Sequence, residues 1–327
     1  MSAPINVLVT GAGGYIGRVV VEELHRHARE TVGRLGTIVA ADLREPAPED
    51  RLEGVVYAAS DVRDSALKGL LEEHSIGVVA HLAAIVTPGK KPNRELEYSV
   101  DVLGTKNVLE CSLAAGVRKV IITSSGAAYG YHADNPEWLS EEDALRGNQE
   151  FAYSDHKRLV EEMLARWREE HPELQQLILR PGTVLGDHTR NQITDLFDGK
   201  LVVGLRGAET PFVLIWDRDV AEIIVRGVLE EVTGAFNLAG DGALPMRELA
   251  RMMGKPYLPL PVGLVRSALW VMKRLGRTQY GPEQVDFLRY RPVLSNARLK
   301  RDFPYTPRKT SREVFEHFLE ARRHARA

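Results

Sequence analysis

The sequence predicts an α/β fold, a doubly wound parallel sheet with a small substrate-binding lobe toward the C-terminus. Three observations carry this. Short apolar runs alternate with helical patterns through the first half of the chain. A glycine stretch, Thr10-Gly11-Ala12-Gly13-Gly14-Tyr15-Ile16-Gly17, separates the first apolar run from the first helical pattern. Small and hydroxyl residues gather where later runs end, and in open parallel sheets ligands bind outside those carboxyl ends.

Ile5, Val7, Leu8 and Val9 form the first strand, and Val19, Val20, Val21 and Leu24 form one face of the helix that follows. Glycines between them allow a tight turn and close backbone approach to a pyrophosphate. The helix N-terminus offers that anion unpaired N–H groups. A second run, Thr37 to Ala41, stops at Asp42. An acid there accepts hydrogen bonds from the ribose hydroxyls of an adenosine and repels a 2′-phosphate, which favours NAD over NADP. Arg44 opposes that preference, and the plainer alternative for Asp42 is a solvated turn residue. Val55 to Ala59 lead to Asp61-Val62, where Asp61 suits either a helix cap or the adenine amino group. Ile76 to Ala84 form a fourth strand ending in His81-Leu82-Ala83-Ala84, with His81 read as structural. A long helix is expected over Leu96 to Ala115, a fifth strand over Val117 to Thr123 and a sixth over Leu177 to Leu179.

The second half predicts helices over Val220–Leu229 and Glu248–Met253 and an extended proline-rich segment from Pro256 to Pro261. Val262 to Leu275 reads as an apolar helix, first as core, second as the wall of an apolar pocket, third as a membrane-surface face. No clean linker divides the chain. The expected partition is residues 1–185 for the dinucleotide and 186–327 mainly for the substrate, partly interleaved.

Composition narrows the classes. The 43 basic and 45 acidic residues give a net charge of −2, which gives no reason to expect nucleic acid as a partner. Cys111 is the lone cysteine, so no internal disulfide forms, and its apolar setting suggests an inert buried thiol. No signal pattern or membrane-spanning apolar run is present, so a cytoplasmic protein without membrane partners is the expectation.

The fifth run ends in Thr123-Ser124-Ser125-Gly126, and Tyr153 and Lys157 stand four apart on a helical segment, hence on one face. Such a pair alone is common on surfaces, but beside a dinucleotide fold it has a specific use. A phenol titrates near ~10 unperturbed, and an adjacent ammonium lowers that value. Tyr153 then exchanges a proton with a carbinol or ketone oxygen as hydride moves, Lys157 supplies charge and binds ribose, and Ser125 orients the oxygen. No His/Cys cluster of metal-site spacing appears, so no metal is expected.

The chain resembles an extended short-chain dehydrogenase/reductase of the NAD-dependent epimerase/dehydratase family. The resemblance rests on Thr10-Gly11-x-x-Gly14-x-x-Gly17, Asp42, Asp61-Val62, His81-Leu82-Ala83-Ala84, Gly104-Thr105-x-Asn107-Val108, Ser125, Tyr153-x-x-x-Lys157 and Arg180-Pro181-Gly182, with echoes at Asp217–Ala221 and Pro307–Thr310. It implies a Rossmann-type sheet, bound NAD and Ser125, rather than Ser124, as the catalytic serine. It implies cofactor contacts from Gly11, Gly14, Tyr15, Ile16, Gly17, Asp42, Asp61, Val62, Leu82, Ala83, Ala84, Asp101, Tyr153, Lys157, Pro181 and Thr183. Asp101 departs from the family's usual asparagine. Homodimers through the Leu103–Leu113 and Leu159–Trp167 helices are also implied. Dehydratases of the family carry Thr-Asp-Glu where this chain has Ser125-Gly126-Ala127, so water loss is disfavoured. Nucleotide-sugar epimerases carry an arginine where Pro211 stands, which favours a less charged, partly apolar alcohol or ketone unless Arg190 or Arg206 substitutes. Nucleotide-sugar epimerisation is the alternative, and a non-catalytic dinucleotide sensor is the alternative of another class.

Overall fold

The structure, a computed structural model, describes residues 3–86, 93–209, 211–278, 281–282 and 284–324. Strands β1 (Ile5–Thr10), β2 (Leu35–Asp42), β3 (Val55–Ala59), β4 (Val78–His81), β5 (Lys119–Thr123) and β6 (Gln175–Pro181) alternate with helices. These are α1 (Tyr15–Glu30), α2 (Leu67–Glu73), α3 (Arg94–Tyr98), α4 (Thr105–Ala114) and α5 (Ala152–Glu170). The second half begins with β7 (Thr183–Leu185), α6 (Gln192–Asp195), β8 (Val202–Leu205), β9 (Pro211–Phe212), β10 (Leu214–Trp216) and α7 (Asp217–Leu229). It continues with β11 (Gly234–Leu238), β12 (Leu244–Pro245), α8 (Met246–Met252), β13 (Tyr257–Leu260) and α9 (Val262–Arg274). Helices α10 (Gln284–Arg289), α11 (Ala297–Asp302) and α12 (Ser311–His324) close it.

The main sheet has seven strands in the order β11-β6-β5-β4-β1-β2-β3, all paired in parallel. Strand order reverses on the two sides of β1, which opens a crevice at the carboxyl ends of β1 and β4. Both faces are covered, so the strands are apolar throughout rather than alternating. Within β1, Val7 and Val9 join Val20, Leu24 and Ile223 in one core. Leu8, between them, joins Val108, Leu109 and Leu164 in the other. A third core, with Phe197, Phe212, Leu249, Phe315 and Phe318, belongs to the second half.

Three expectations change. The helix expected over Leu96–Ala115 is α3 and α4 joined by a π-helical segment, Ser99–Gly104, and this wider turn carries Asp101. The strand expected over Ile76–Ala84 ends at His81, because Leu82 donates its N–H to the Thr10 carbonyl and the chain turns across the glycine stretch. The core reading of the Val262–Leu275 helix is overturned. None of the residues of α9 is buried, because α8, α12 and the strands beside them already fill the third core.

Candidate active site

The glycine turn is built by close approach. Gly11 has φ +68°, and a Cβ there would lie 2.7 Å from the Ala83 backbone. A Cβ on Gly17 would lie 2.1 Å from the Gly11 carbonyl oxygen, so helix and strand meet only because both residues are glycine. Gly14 is the N-cap of α1, makes no side-chain cap, and no acid occupies the first turn. The first amides of α1, those of Tyr15, Ile16 and Gly17, therefore retain their capacity for an anion, the chemistry a dinucleotide pyrophosphate requires. The Tyr15 side chain turns elsewhere. Its hydroxyl donates to Asp217 Oδ2 at 2.6 Å and accepts from Thr189 Oγ1 at 2.7 Å, tying the turn to the second half. Burial, then the Asp217 charge, pushes this phenol above its ordinary value.

Asp42 ends β2 over this turn, its carboxylate accepting from Gly13 N at 2.9 Å and Leu43 N at 2.7 Å. It is half-buried and fixed beside the glycines, which suits an acceptor for ribose hydroxyls. Asp61 does not cap a helix. Its carboxylate holds Arg63 through Nη2 at 2.6 Å and accepts from the Arg63 N–H, and the Arg63 hydrogen bonds keep it below the usual carboxylate range. Asp64 instead accepts from Ala66 N beside α2. Val62 is buried against Gly104, and Asn107 donates to the carbonyls of Val62 and Asp64 at 2.8 and 2.9 Å. Leu82 and Ala83 line the far side of the turn, with Ala83 N approaching Thr10 Oγ1 at 3.4 Å. His81 is buried between Thr10 Oγ1 at 2.7 Å and Thr105 Oγ1 at 3.0 Å, and burial pushes it down to about 3. It is neutral and structural.

The proposed catalytic groups converge beyond β5. Ser125 Oγ accepts the Ala127 N–H at 3.1 Å and lies beside the Tyr153 phenol. Ser124 Oγ donates instead to buried Glu161, so only Ser125 faces Tyr153. Lys157 Nζ lies 5.7 Å from the Tyr153 ring centroid and donates to the Thr123 carbonyl at 2.8 Å. The expected lowering of the Tyr153 phenol by Lys157 is not found: burial pushes the phenol above its ordinary value, opposed by Ser125 beside it. Burial also lowers Lys157, opposed by the charge of Asp101. Asp101 is itself buried, accepting from Ile85 N at 2.8 Å and standing 3.4 Å from His156 Nδ1. Pro181 ends β6 in register with Leu238, and Thr183 opens β7 with its hydroxyl 3.1 Å from Arg291 Nη2.

Several neighbours come from distant sequence. Tyr131 stacks with Phe287 at 4.7 Å and Phe151 at 5.7 Å. The Arg291 guanidinium lies 4.0 Å from the Phe212 ring centroid and 4.9 Å from that of Phe287. Its Nη1 is buried without a hydrogen-bond partner, and burial pushes the group down to about 10. No motif marks Tyr131, Phe287 or Arg291. The only signal was Tyr131 following Tyr129-Gly130. Arg190 and Arg206, the sequence candidates for an anion partner, are both exposed. A cleft of about 910 Å³ opens between the 131–151 loop and α9–α10. It includes Phe151, Arg266 and Arg289 but not Ser125, Tyr153 or Lys157, so it borders the proposed catalytic group without containing it. Glu23, His27 and Glu222 also converge within 4.8 Å between α1 and α7. Arg26, Arg226 and Arg308 pair with these carboxylates, and the group is an ion-pair cluster.

A glycine turn over a parallel sheet, with a tyrosine and lysine beyond β5, defines a dinucleotide-dependent enzyme class. The sequence profile of the NAD dependent epimerase/dehydratase family matches residues 7–207, and the chain belongs to that family. An uncharacterized protein of Mycobacterium tuberculosis is 22% identical over 98% of this chain and 84% of its own length. The Thermus thermophilus UDP-glucose 4-epimerase complex with NAD is similar at 25% identity and TM-score 0.71, covering 98% of this chain and all of that one. The Thermotoga maritima UDP-glucose 4-epimerase with UDP-glucose superposes at TM-score 0.75 and 18% identity, over 99% of this chain and 100% of that one.

Proposed function

We propose that the protein binds NAD(H) and catalyses hydride transfer at a secondary alcohol or ketone carbon. The observation that carries this reading is Lys157 Nζ, 5.7 Å from the Tyr153 ring centroid and bound to the Thr123 carbonyl, with Ser125 beside the phenol at the end of β5. The α1 amides would hold the pyrophosphate, Asp42 the adenosine ribose and Lys157 the nicotinamide ribose. The nicotinamide, when bound, accepts or delivers the hydride. Ser125 orients the substrate oxygen, and Tyr153 gives or takes its proton. Residues 1–185 supply these groups, while residues 186–327 mainly shape the substrate side. The one cysteine is buried, which suits a cytoplasmic setting.

A second reading is nucleotide-sugar epimerisation through transient oxidation, favoured by the two UDP-glucose 4-epimerases above and by Arg291. Pro211 stands where the resemblance implies an arginine in nucleotide-sugar epimerases, but Arg291 brings a guanidinium with a buried, unused nitrogen to the Thr183 side of the site. Guanidinium is an efficient partner for a diphosphate. One experiment separates the readings. Titration by intrinsic fluorescence should give tighter binding of NAD(H) than NADP(H), with Asp42→Ala weakening NAD and narrowing the gap. The NAD-loaded protein is then offered secondary alcohols, ketones and UDP- and dTDP-hexoses. Turnover confined to alcohols and ketones supports the first reading, and C4 inversion of a hexose supports the second. Failure to bind either dinucleotide sinks both and leaves neither an enzyme nor a dinucleotide sensor.

The proposed homodimer uses the surfaces of α4 and α5. Leu103 is 47% exposed beside Leu159 and Met163, at a shallow groove between the helices. Light scattering should give twice the chain mass for the wild type and the single-chain mass for Leu103→Arg. A monomeric wild type rejects this interface.

A further inference from the structure

We propose that Asp101, clasped by His156, is a positioning residue of the reaction centre, its carboxylate supplying the one fixed negative charge that faces both Tyr153 and Lys157. The inference rests on the reading of those two residues given above. Asp101 sits on the π-helical segment Ser99–Gly104, which packs against α5. Its side chain and that of His156 are 2 and 1% exposed. One carboxylate oxygen accepts the Ile85 N–H at 2.8 Å, and the other stands 3.4 Å from His156 Nδ1. The Tyr98 ring meets the His156 ring edge-on at a centroid distance of 5.7 Å, which packs the imidazole in place. Among the described residues no lysine or arginine forms an ion pair with Asp101. A carboxylate so far from water acts on its neighbours with little screening.

The other titratable groups facing Tyr153 and Lys157 carry no unbalanced negative charge. Glu161, one turn along α5, is paired with Arg180 at 2.6 Å. His81 of β4 is neutral, pushed down to about 3 by burial. Tyr131 is buried, and its phenol is pushed up to about 12, so it is uncharged at neutral pH. Asp101 is what remains. Burial raises the Tyr153 phenol, and the Asp101 charge adds to that rise. Burial lowers the Lys157 ammonium, and the Asp101 charge opposes that fall. Both effects have one sense, since a nearby negative charge favours the protonated form of either group. They keep the phenol O–H and the ammonium N–H as donors, the forms that give a proton to a ketone oxygen and hold a ribose.

The test titrates the Tyr153 phenol in the full chain without cofactor or substrate, as the ultraviolet phenolate signal of each protein minus that of its Tyr153→Phe counterpart. Asp101→Asn keeps an acceptor for the Ile85 N–H and removes the charge, so a merely structural role would leave the titration where it is. At a given alkaline pH it should raise the ratio of phenolate to phenol about ten-fold, a shift of about one pH unit. Ketone reduction needs the protonated phenol and falls at alkaline pH, and that fall should move toward neutrality by the same amount. Asp101→Ser, a second uncharged variant, should move both alike, with circular dichroism verifying the fold of each. A phenolate ratio within about two-fold of the wild type in both variants overturns the proposal and means that His156 already cancels the carboxylate. A shift to higher pH overturns it as well. A phenol that moves as expected in a chain that turns over no alcohol, ketone or hexose sustains the proposal and sinks the hydride-transfer reading alone.

Discussion

Tyr153→Phe is expected to lower turnover about a thousand-fold, the middle of the range that a positioned acid/base contributes. The ring stays, so NAD(H) affinity should remain within a factor of about two, since the pyrophosphate and ribose contacts lie elsewhere. Ser125 Oγ keeps the Ala127 N–H but loses the phenol beside it. The protonation state adds a second readout. Burial holds the Tyr153 phenol above its ordinary value, so it is protonated throughout the neutral range, the form that delivers a proton to a ketone. Reduction should therefore be flat across neutral pH and fall only on the alkaline side, as the phenol loses its proton. Lys157→Met should reduce both turnover and cofactor affinity, because the ammonium serves ribose and phenol together. Steady-state rates on the best substrate of the panel, with parallel fluorescence titrations, check this. Near-normal turnover of Tyr153→Phe would move the proton chemistry to another group.

What the sequence made legible follows from how local its signals are. The sheet was readable because its inner strands are buried on both faces, and a short apolar run between a turn and a helix has few other uses. The glycine turn was readable because the Gly11 and Gly17 contacts admit no side chain. Ser125 was separable from Ser124 only by family analogy, and the geometry supplies a physical ground: Glu161 occupies the Ser124 hydroxyl. Other features required the fold. Asp61 is equally plausible as a cap or an adenine acceptor until Arg63 is seen folding back on it. The π-helical turn at Asp101 has no sequence period of its own. Arg291 reaches Thr183 across 108 positions, and nothing near it in the chain marks it as buried. The α9 stripe does not settle its surroundings, because a helix packed in a core and one lying at the protein surface share one periodicity.

The network under the proposed catalytic group gives the largest expected loss of stability. Glu161, one turn beyond Lys157 on α5, pairs with Arg180 of β6 through Nη2–Oε2 at 2.6 Å and Nε–Oε1 at 2.8 Å, and accepts the Ser124 hydroxyl. Arg180 Nη1 donates to the Tyr129 hydroxyl at 2.8 Å, which donates at 2.8 Å to Asn237 of β11. Glu161 and Arg180 are 4 and 6% exposed. Removing one partner strands a charge where water cannot reach it, so Glu161→Ala should cost about 3–5 kcal/mol. Denaturant unfolding measures the loss. It should exceed that of Ser124→Ala, which removes one hydrogen bond to a charged group and costs about 1.5–3 kcal/mol. Replacing both ions, Glu161→Leu with Arg180→Met, should recover much of the stability, because no unpaired charge remains. The double variant tests position as well as energy. The ion pair joins α5 to β6 one turn from Lys157, so it is placed to hold Tyr153 against Ser125. Recovered stability with turnover still depressed would identify the network as what aligns Tyr153 and Lys157. Recovery of both would assign it to stability alone, and a Glu161→Ala cost below about 1 kcal/mol would mean that solvent reaches the pair after all.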